Sequence, residues 1–268
     1  MTATTDDGSP QLNPHQPHPA RMYDYFLNGK DHHVVDAAAA EQVLTFYPQA
    51  KAAAQANRRF MQRAVGQLAQ SGLRQFLDIG TGIPTEPNLH QIAQGAIPDA
   101  RVVYVDNDPI VLRHAEALLS SRPEGRTEYV QADVRHPEAI LDAAREVLDF
   151  DEPVGLSLVA LLHFIDDAQD PRRLVRDLLA PLAPGSHLVL SHGTADVDPE
   201  TMARVMEVYR SGGVTVQLRT REEIAAFFEG LVLLDPGLAL VGDWHRPVDT
   251  PEGDDVQVPL YVGIARKQ

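Results

Sequence analysis

The chain has 268 residues, no cysteine and a formal net charge of −15 at pH 7. That charge argues against a nonspecific grip on nucleic acid, whose phosphates require a basic surface, and it favours a small-molecule or protein substrate. The absence of cysteine excludes disulfides, zinc–thiolate sites, iron–sulfur clusters and cysteine nucleophiles.

The length and the apolar pattern bound the class of protein. One or two domains are expected, and a hydrophobic content of 44% is ordinary for a globular core. No apolar run approaches the ~18 residues of a membrane span, and the N-terminus lacks a charged segment followed by an apolar one. We therefore expect a cytoplasmic protein without a membrane segment.

The N-terminal part of the chain divides into a tail and a helical segment. Residues 1–19 are rich in Pro, His, Asp and Thr without an apolar period, which is typical of a disordered tail. Residues 20–72 have a helical period and predict three helices, the first ending at an Asn28-Gly29 turn. Two interpretations of this segment stay open, a helical layer packed on one edge of a sheet and a lid over a pocket.

The stretch Gln75–Thr85 combines a short apolar strand with a glycine turn. Its apolar residues fit a buried parallel strand, and Gly80-Thr81-Gly82 follow as a turn before a helical pattern from 86 to about 95. Glycine tolerates a positive φ, and a side chain at either glycine would fill space that a ligand against the backbone needs. We therefore take these three turn residues as candidate cofactor contacts.

Three interpretations of this turn compete. A dinucleotide site requires G-x-G-x-x-G with a pyrophosphate over the helix N-terminus, but Thr85 stands at the third glycine position. Asp78 precedes the first glycine by two residues, where it would repel a pyrophosphate but attract the ammonium and sulfonium groups of S-adenosylmethionine (SAM). The turn is interpreted as a SAM loop, D-x-G-x-G, and a glycine turn without a ligand is the remaining alternative.

From residue 75 onward strands and helices alternate, which predicts a doubly wound, seven-stranded, mostly parallel sheet with an antiparallel last strand. The last two strands have no helix between them, and the hairpin they predict distinguishes a SAM-methyltransferase sheet from a dinucleotide-binding one. After the first strand, the predicted strands cover 101–106, 127–133, 154–160, 185–191, 231–241 and 260–265, and the predicted helices cover 109–120, 136–148, 171–182, 199–210 and 220–230.

Acidic residues follow the second and third strands. Asp106 ends the second strand, where a carboxylate can accept both ribose hydroxyls, and Asn107 can share the adenosine edge. After the third strand, Asp133 can accept from the adenine amino group, with Ala132 and Val134 on either side and Val134 covering the ring. Either acid could instead cap the helix that follows it.

His163 is the candidate catalytic residue, because it follows the fourth strand, where a methyl acceptor would lie. It could orient or deprotonate the acceptor, a role that commonly contributes ~10²–10⁴-fold in rate. Alternatively, methyl transfer needs little beyond alignment, or the histidine bonds its own loop. His192, after the fifth strand, is a weaker candidate of the same kind.

Two neighbouring arginines precede the first strand. A guanidinium from Arg58 or Arg59 could bind the carboxylate of the cofactor, and a solvated helix face explains either residue equally. Residues 31–36 include aspartates and histidines of the types that bind metals, but on adjacent loop residues without a clear geometry. We therefore predict no metal.

Several segments together form a combination far more specific than the glycine turn alone. They are Ala20–Asp31, Asn57-Arg58-x-Phe60, Gln75–Thr85, Arg101–Pro109, Leu162-His163-Phe164 and Pro184-Gly185-Ser186. Over residues 19–267 the chain resembles a bacterial family of SAM-dependent methyltransferases of largely unassigned substrate.

The resemblance implies a class I, Rossmann-like methyltransferase fold. It implies that the segment Tyr23–Lys30 and Arg58 face the pocket, which makes Tyr23 a candidate contact. Asn28 departs from the pattern, since it replaces what looks like a family glycine, and so does the basic pair His32-His33. The residues that the resemblance assigns to SAM are Asp78, Gly80, Gly82, Asp106 and Asp133.

The leading hypothesis is a SAM-dependent methyltransferase that acts on an oxygen or nitrogen of an unidentified small molecule. The alternatives are a non-catalytic protein that binds SAM or a nucleoside, and an NAD-dependent oxidoreductase, which Asp78 disfavours. We predict neither a nucleic-acid nor a membrane partner, and a homo-oligomer stays open. The predicted organisation is a disordered tail over 1–19, a helical lid over 20–72 and a Rossmann-like SAM-binding methyltransferase domain over 73–268.

Overall fold

The computed structural model describes residues 16–111, 121–244 and 257–268 of the chain. Its helices are α1 (Pro19–Phe26), α2 (Val34–Leu44), α3 (Ala50–Gln70), α4 (Leu89–Ala96), α5 (Pro137–Ala144), α6 (Pro171–Leu179), α7 (Pro199–Ser211) and α8 (Arg221–Ala225). Its strands are β1 (Gln75–Ile79), β2 (Arg101–Asp106), β3 (Arg126–Gln131), β4 (Gly155–Val159), β5 (His187–Gly193), β6 (Val232–Leu233), β7 (Ala239–Leu240) and β8 (Leu260–Arg266). Within these ranges, no helix is long and apolar enough to cross a membrane.

The strands form one sheet in the order β3-β2-β1-β4-β5-β8-β6, with β7 also paired to β8. Neighbours among β1 to β5 are parallel, whereas β8 runs antiparallel to β5 and pairs antiparallel with β6 and β7. The strand order reverses between β1 and β4, so a crevice opens beyond their carboxyl ends. The doubly wound sheet with an antiparallel last strand that the sequence predicts is confirmed.

Alternation along β1 divides the core between the two faces of the sheet. Leu77 and Ile79 belong to a buried cluster with residues of α5 and α6, while Phe76 belongs to a second cluster with residues of α3 and α4. Burying an apolar side chain of this size is worth ~1.5–3 kcal/mol. Both faces of the strand are therefore covered, which leaves its carboxyl end as the place for a site.

A third apolar cluster joins the N-terminal helices to α7. Met22 and Phe26 of α1 pack with Val43 of α2, Ala54 of α3 and Val208 of α7. The three helices predicted over residues 20–72 are present. The turn at Asn28 has φ 62°, a left-handed conformation that asparagine tolerates better than most residues.

Helix α4 begins later than predicted. The sequence places its start near Glu86, but Leu89 is the first helical residue because Asn88 caps the helix. The Asn88 N–H donates to Oε1 of Gln91 over 2.6 Å, which completes a capping box.

The region after α7 differs more from the prediction. The strand expected over 231–241 is two short strands, β6 and β7, and between them the Gly237 N–H donates to the Leu234 carbonyl over 2.7 Å. Pro236 lies in this turn and has no N–H to give to a strand ladder. The helix predicted over 220–230 ends at Ala225 and continues as a 3₁₀ turn to Phe228. Most of the helix predicted over 109–120, and most of the predicted N-terminal tail, lie outside the described residues.

Candidate functional site

The glycine turn lies at the carboxyl end of β1, between β2 and β4. Gly80 and Gly82 have φ of 77° and 66°, where side-chain-bearing residues are strained. A Cβ on Gly80 would lie 2.7 Å from Cδ1 of Leu161, whereas a Cβ on Gly82 would meet only the Cβ of Ala20, 4.0 Å away. Gly80 is therefore needed for packing, and open space lies over Gly82.

Asp106 links this turn to the end of β2. One carboxylate oxygen accepts from the Gly82 N–H over 2.8 Å and the other from the Asp108 N–H over 2.9 Å. Asp106 is 9% exposed, and burial raises its pKa above the usual value. Asp108 instead caps the helical turn that follows, accepting from the Ile110 N–H over 2.8 Å. The cap alternative is therefore wrong for Asp106, and its ribose role stays a prediction.

A buried chain of ion pairs attaches α1 to the same corner. Arg21 donates from Nε to Asp36 over 2.8 Å and from Nη1 to Asp108 over 3.3 Å. All three side chains are buried, and removing one partner of such a group typically costs ~3–5 kcal/mol. The N-terminal helices are therefore fixed to the residue that donates to Asp106.

These elements surround a cavity of about 510 Å³, a size typical of small-molecule sites. The alternative candidates Arg59 and His192 do not line it. Twelve residues that the sequence proposes for the site do line it, although contact with a ligand stays a prediction. They are Tyr23, Arg58, Asp78, Gly80, Thr81, Gly82, Asp106, Asn107, Ala132, Asp133, Val134 and His163.

Asp78 lies in the cavity wall at the end of β1. Its Oδ2 accepts from the Thr81 hydroxyl over 3.2 Å. Burial raises the pKa of the Asp78 carboxyl above its usual value, against the opposing effect of nearby Arg58. A positively charged ligand group beside Asp78 would therefore favour the ionised form and bind to it.

Arg58 and Tyr23 line the cavity from the N-terminal helices. Arg58 donates from Nη2 to the carbonyls of Thr85 and Pro87, the latter over 3.1 Å, while its Nε is buried and has no partner among the described residues. The Tyr23 hydroxyl donates to a backbone carbonyl of α3 over 3.0 Å and accepts from Nδ2 of Asn57 over 2.9 Å. Arg58 thus keeps one donor for a ligand, whereas Tyr23 offers mainly its ring.

Asp133 is already paired. It accepts from the backbone N–H of Arg135 over 2.9 Å, from Nε over 2.8 Å and from Nη2, and Asn107 donates to it over 3.3 Å. Burial opposes ionisation of Asp133, but the bonds from Arg135 outweigh it and hold the pKa below its usual value. An adenine amino group would have to share an oxygen with Arg135. Helix α5 begins after His136 and takes no cap bond from a side chain, so the cap alternative is wrong here too.

His163 lies in the cavity wall beside aromatic rings. Its ring centroid is 4.4 Å from that of Phe164 and 5.5 Å from that of His192. Nδ1 accepts from the Gly193 N–H over 3.4 Å, which places the proton of the neutral ring on Nε2. Burial, together with the charge of Arg219, lowers the pKa of His163 to about 4. The ring is therefore neutral at pH 7 and a weak base.

Arg219 holds the loop that carries His163, and no sequence pattern predicts this role. It is 4% exposed and donates to the carbonyls of Leu162 over 3.0 Å and Ile165 over 2.8 Å. Its Nη1 lies 2.8 Å from Nε2 of His192, and it pairs with Asp167 over 2.8 Å. His192 is fully buried behind this network and does not line the cavity, so it is wrong as a second catalytic candidate.

The residues considered as metal ligands have other partners. Asp36 pairs with Arg21, and Nδ1 of His32 lies 2.9 Å from Asp24. In the part of the chain that the structure describes, no group of three or more His, Asp or Glu side chains is arranged to hold a metal.

Arg135 also lines the cavity and was not predicted from the sequence. It follows Asp133 by two residues, and that short spacing could have indicated their ion pair.

Comparison with known proteins identifies close relatives. A family model described as S-adenosyl methyltransferase matches residues 5–268. A DUF574 family protein from Streptomyces avermitilis is 46% identical, with a TM-score of 0.92 over 96% of this chain and 100% of that one. A proposed methyltransferase from Thermobifida fusca is 37% identical, with a TM-score of 0.86 over 94% of this chain and 96% of that one.

More distant similarity extends to the fold alone. An O-methyltransferase family protein from Burkholderia thailandensis is 15% identical, with a TM-score of 0.54 over 91% of this chain and 64% of that one. No curated protein matches the chain. The class I, Rossmann-like arrangement is therefore shared well beyond the close relatives.

Proposed function

The chain belongs to the S-adenosyl methyltransferase family, and from that premise we propose that it methylates an oxygen or nitrogen atom of a small molecule. It is a SAM-dependent methyltransferase, which sets aside the NAD-dependent alternative. One observation carries the proposal: the glycine turn and the acids after β2 and β3 line one cavity with His163. The expected cytoplasmic location stays a prediction.

The residues present fit SAM. Open space lies over Gly82, and the unpartnered Nε of Arg58 is a donor for a carboxylate. Asp78 provides a carboxylate for the positively charged end of the cofactor, and Asp106 one for the ribose. When bound, SAM supplies a methyl group on a positively charged sulfur. The remaining proposed contacts are Tyr23, Gly80, Thr81, Asn107, Ala132, Asp133 and Val134.

The chain's own contribution to the reaction is mainly alignment. His163 is neutral at pH 7 because burial lowers its pKa to about 4, so it is poorly suited to remove a proton from a weak acid. Its Nε2–H can instead donate to the acceptor and orient it. Well-placed reactants can gain ~7–11 kcal/mol from alignment alone, which is enough to account for methyl transfer without a strong base.

The N-terminal segment, residues 20–72, is proposed as a lid over the SAM-binding domain, residues 73–268. Its support is that Tyr23, Phe26 and Arg58 of this segment line the cavity. Filling the cofactor site should then slow amide hydrogen exchange in α1. If amide hydrogen exchange became slower in the glycine turn but did not change in α1, α1 would be a packing layer on the sheet and not part of a lid.

Calorimetric titration with SAM and with its demethylated product, S-adenosylhomocysteine, tests the proposal directly. We expect binding of both in the micromolar range, followed by transfer of labelled methyl to a small-molecule fraction of a cell extract. Binding without any transfer would support the non-catalytic alternative for this chain. Absence of binding at ligand concentrations up to about 1 mM would overturn the proposed cofactor site. A dissociation constant of that size corresponds to a binding free energy on the order of −4 kcal/mol.

A further inference from the structure

Charge is unevenly distributed around the cavity. The side chains with a formal charge that line it are Arg58, Asp78, Asp106, Asp133, Arg135 and Asp166. All of these except Arg58 lie at or after the carboxyl end of a strand. Among the described residues that line the cavity, none from α1, α2 or α7 carries a charge. The cavity therefore has a charged side over the sheet and an uncharged side under the helices.

The uncharged side of the cavity has an apolar wall, and we call the space against this wall the acceptor chamber. The residues that line it are Phe26, Val43, Tyr47, Met202, Val205 and Tyr209. Five of these residues belong to the third apolar cluster, and Met202 is 4% exposed. Most of the wall is therefore built from side chains that pack together and come from α1, from α2 and the residues after it, and from α7.

The acceptor chamber reaches His163. The ring centroid of Tyr209 lies 5.9 Å from that of Phe164, which in turn lies 4.4 Å from that of His163. His163 and Phe164 line the same cavity. A molecule against Tyr209 and Phe164 would thus lie beside the histidine that follows β4.

We propose that the methyl acceptor is an uncharged, ring-bearing, largely apolar molecule whose body lies in the acceptor chamber. Moving an anionic group from water to an uncharged wall without a partner is strongly unfavourable, and the carboxylate of Asp166 in the same cavity adds repulsion, so anionic acceptors are rejected. Flat aromatic side chains offer stacking and edge-to-face contacts, typically ~0.5–1.5 kcal/mol each, that favour rings over flexible chains. This assignment rests on the proposed function, since it takes the charged side for SAM.

Two probes with the same ring system and different charge test the assignment. With S-adenosylhomocysteine saturating, 2-naphthol, which is uncharged at pH 7, should bind at least about tenfold more tightly than 2-naphthoate in calorimetry. Equal affinities, or tighter binding of 2-naphthoate, would overturn the charge preference. Failure of S-adenosylhomocysteine itself to bind would instead count against the proposed function, so the two failures are distinguishable.

Variants on α7 test the location. Val205→Phe should fill the chamber and weaken 2-naphthol binding about tenfold or more, with S-adenosylhomocysteine affinity kept within about twofold. Ala203→Phe, on the exposed face of the same helix, is the matched control and should change neither affinity. If the melting temperature of Val205→Phe is much lower than that of the parent, Val205→Ala is used in its place. Val205→Ala enlarges the chamber, so it should also change the affinity for 2-naphthol while leaving the affinity for S-adenosylhomocysteine unchanged. Unchanged 2-naphthol affinity in a folded variant would exclude this chamber.

Discussion

The carboxylate of Asp106 accepts a hydrogen bond from the backbone N–H of Gly82 over 2.8 Å, which joins the end of β2 to the glycine turn after β1. Its other oxygen accepts from the Asp108 N–H, and Asp108 pairs with Arg21 of α1. One buried side chain thus couples the turn, the second strand and the N-terminal helices. Changes at Asp106 should consequently affect the cofactor site as a unit.

Asp106→Asn should weaken S-adenosylhomocysteine binding about 10- to 100-fold, since charge-assisted hydrogen bonds are worth ~1.5–3 kcal/mol and the amide has one acceptor oxygen instead of two. Calorimetric titration measures the change. Asp99→Asn is the control, because Asp99 is an exposed partner of Arg74 just before β2. An affinity within twofold of the parent would remove Asp106 from the proposed ribose contacts.

Arg58→Gln should also weaken cofactor binding, because it removes the guanidinium whose Nε has no partner among the described residues. We expect about a tenfold loss or more for S-adenosylhomocysteine, and a much smaller one for adenosine, which lacks the carboxylate. The matched control is Arg59→Gln, on the exposed face of the same helix. Equal losses for both ligands would show that Arg58 acts through the fold rather than on the carboxylate.

Arg219→Leu should lower the free energy of unfolding by about 2–4 kcal/mol, because it leaves the buried carbonyls of Leu162 and Ile165 without their donor. Urea denaturation measures the loss. Arg172→Leu breaks an ion pair between two exposed side chains, Arg172 and Glu229, and should cost no more than about 1 kcal/mol. A comparable, small loss in both variants would contradict the role given to Arg219.

The stabilisation that neutral His163 contributes should be lost as the pH is lowered from about 6.5 to 4. Burial and the charge of Arg219 lower the pKa of His163 from its usual 6.5 to about 4, and burial also lowers the pKa of neighbouring His192. Because the unfolded state binds protons first, the stabilisation is present above pH 6.5 and is lost as the pH falls through about 4. For His163 the loss is on the order of 2–3 kcal/mol.

Urea denaturation at intervals from pH 7 to pH 4 measures this dependence. His163→Gln removes one titrating ring, so its stability should change less over the interval than that of the parent. His136→Gln, at the exposed start of α5, controls for the substitution itself. The pKa of buried Asp78 and Asp106 is raised, which acts in the opposite direction, so the difference between variants is the relevant quantity. If the free energy of unfolding of His163→Gln depended on pH in the same way as that of the parent, His163 would be ruled out as a source of the pH dependence.

The succession of strands and helices and the position of the glycine turn could be read from the chain because both depend on local patterns. The apolar run of β2 and its terminal Asp106 are found at the predicted residues, and the final strand is found antiparallel. Parallel strands end at the same edge of a sheet, so acids at successive strand ends must converge. For the same reason, the predicted site residues that lie at or after the ends of β1 to β4 line one cavity.

Other features follow from contacts between distant parts of the chain. Arg219 donates to Leu162 across a sequence separation of 57 residues, and no local period marks an arginine that will be buried. The acceptor chamber combines Phe26 and Val43 with Val205, and their helices have no shared pattern in the sequence. The sequence by itself determined the sheet and its acidic edge, since periodicity and residue type suffice for both. Only the tertiary structure decided which side chains are paired, buried or open to a ligand, because those states depend on packing between elements.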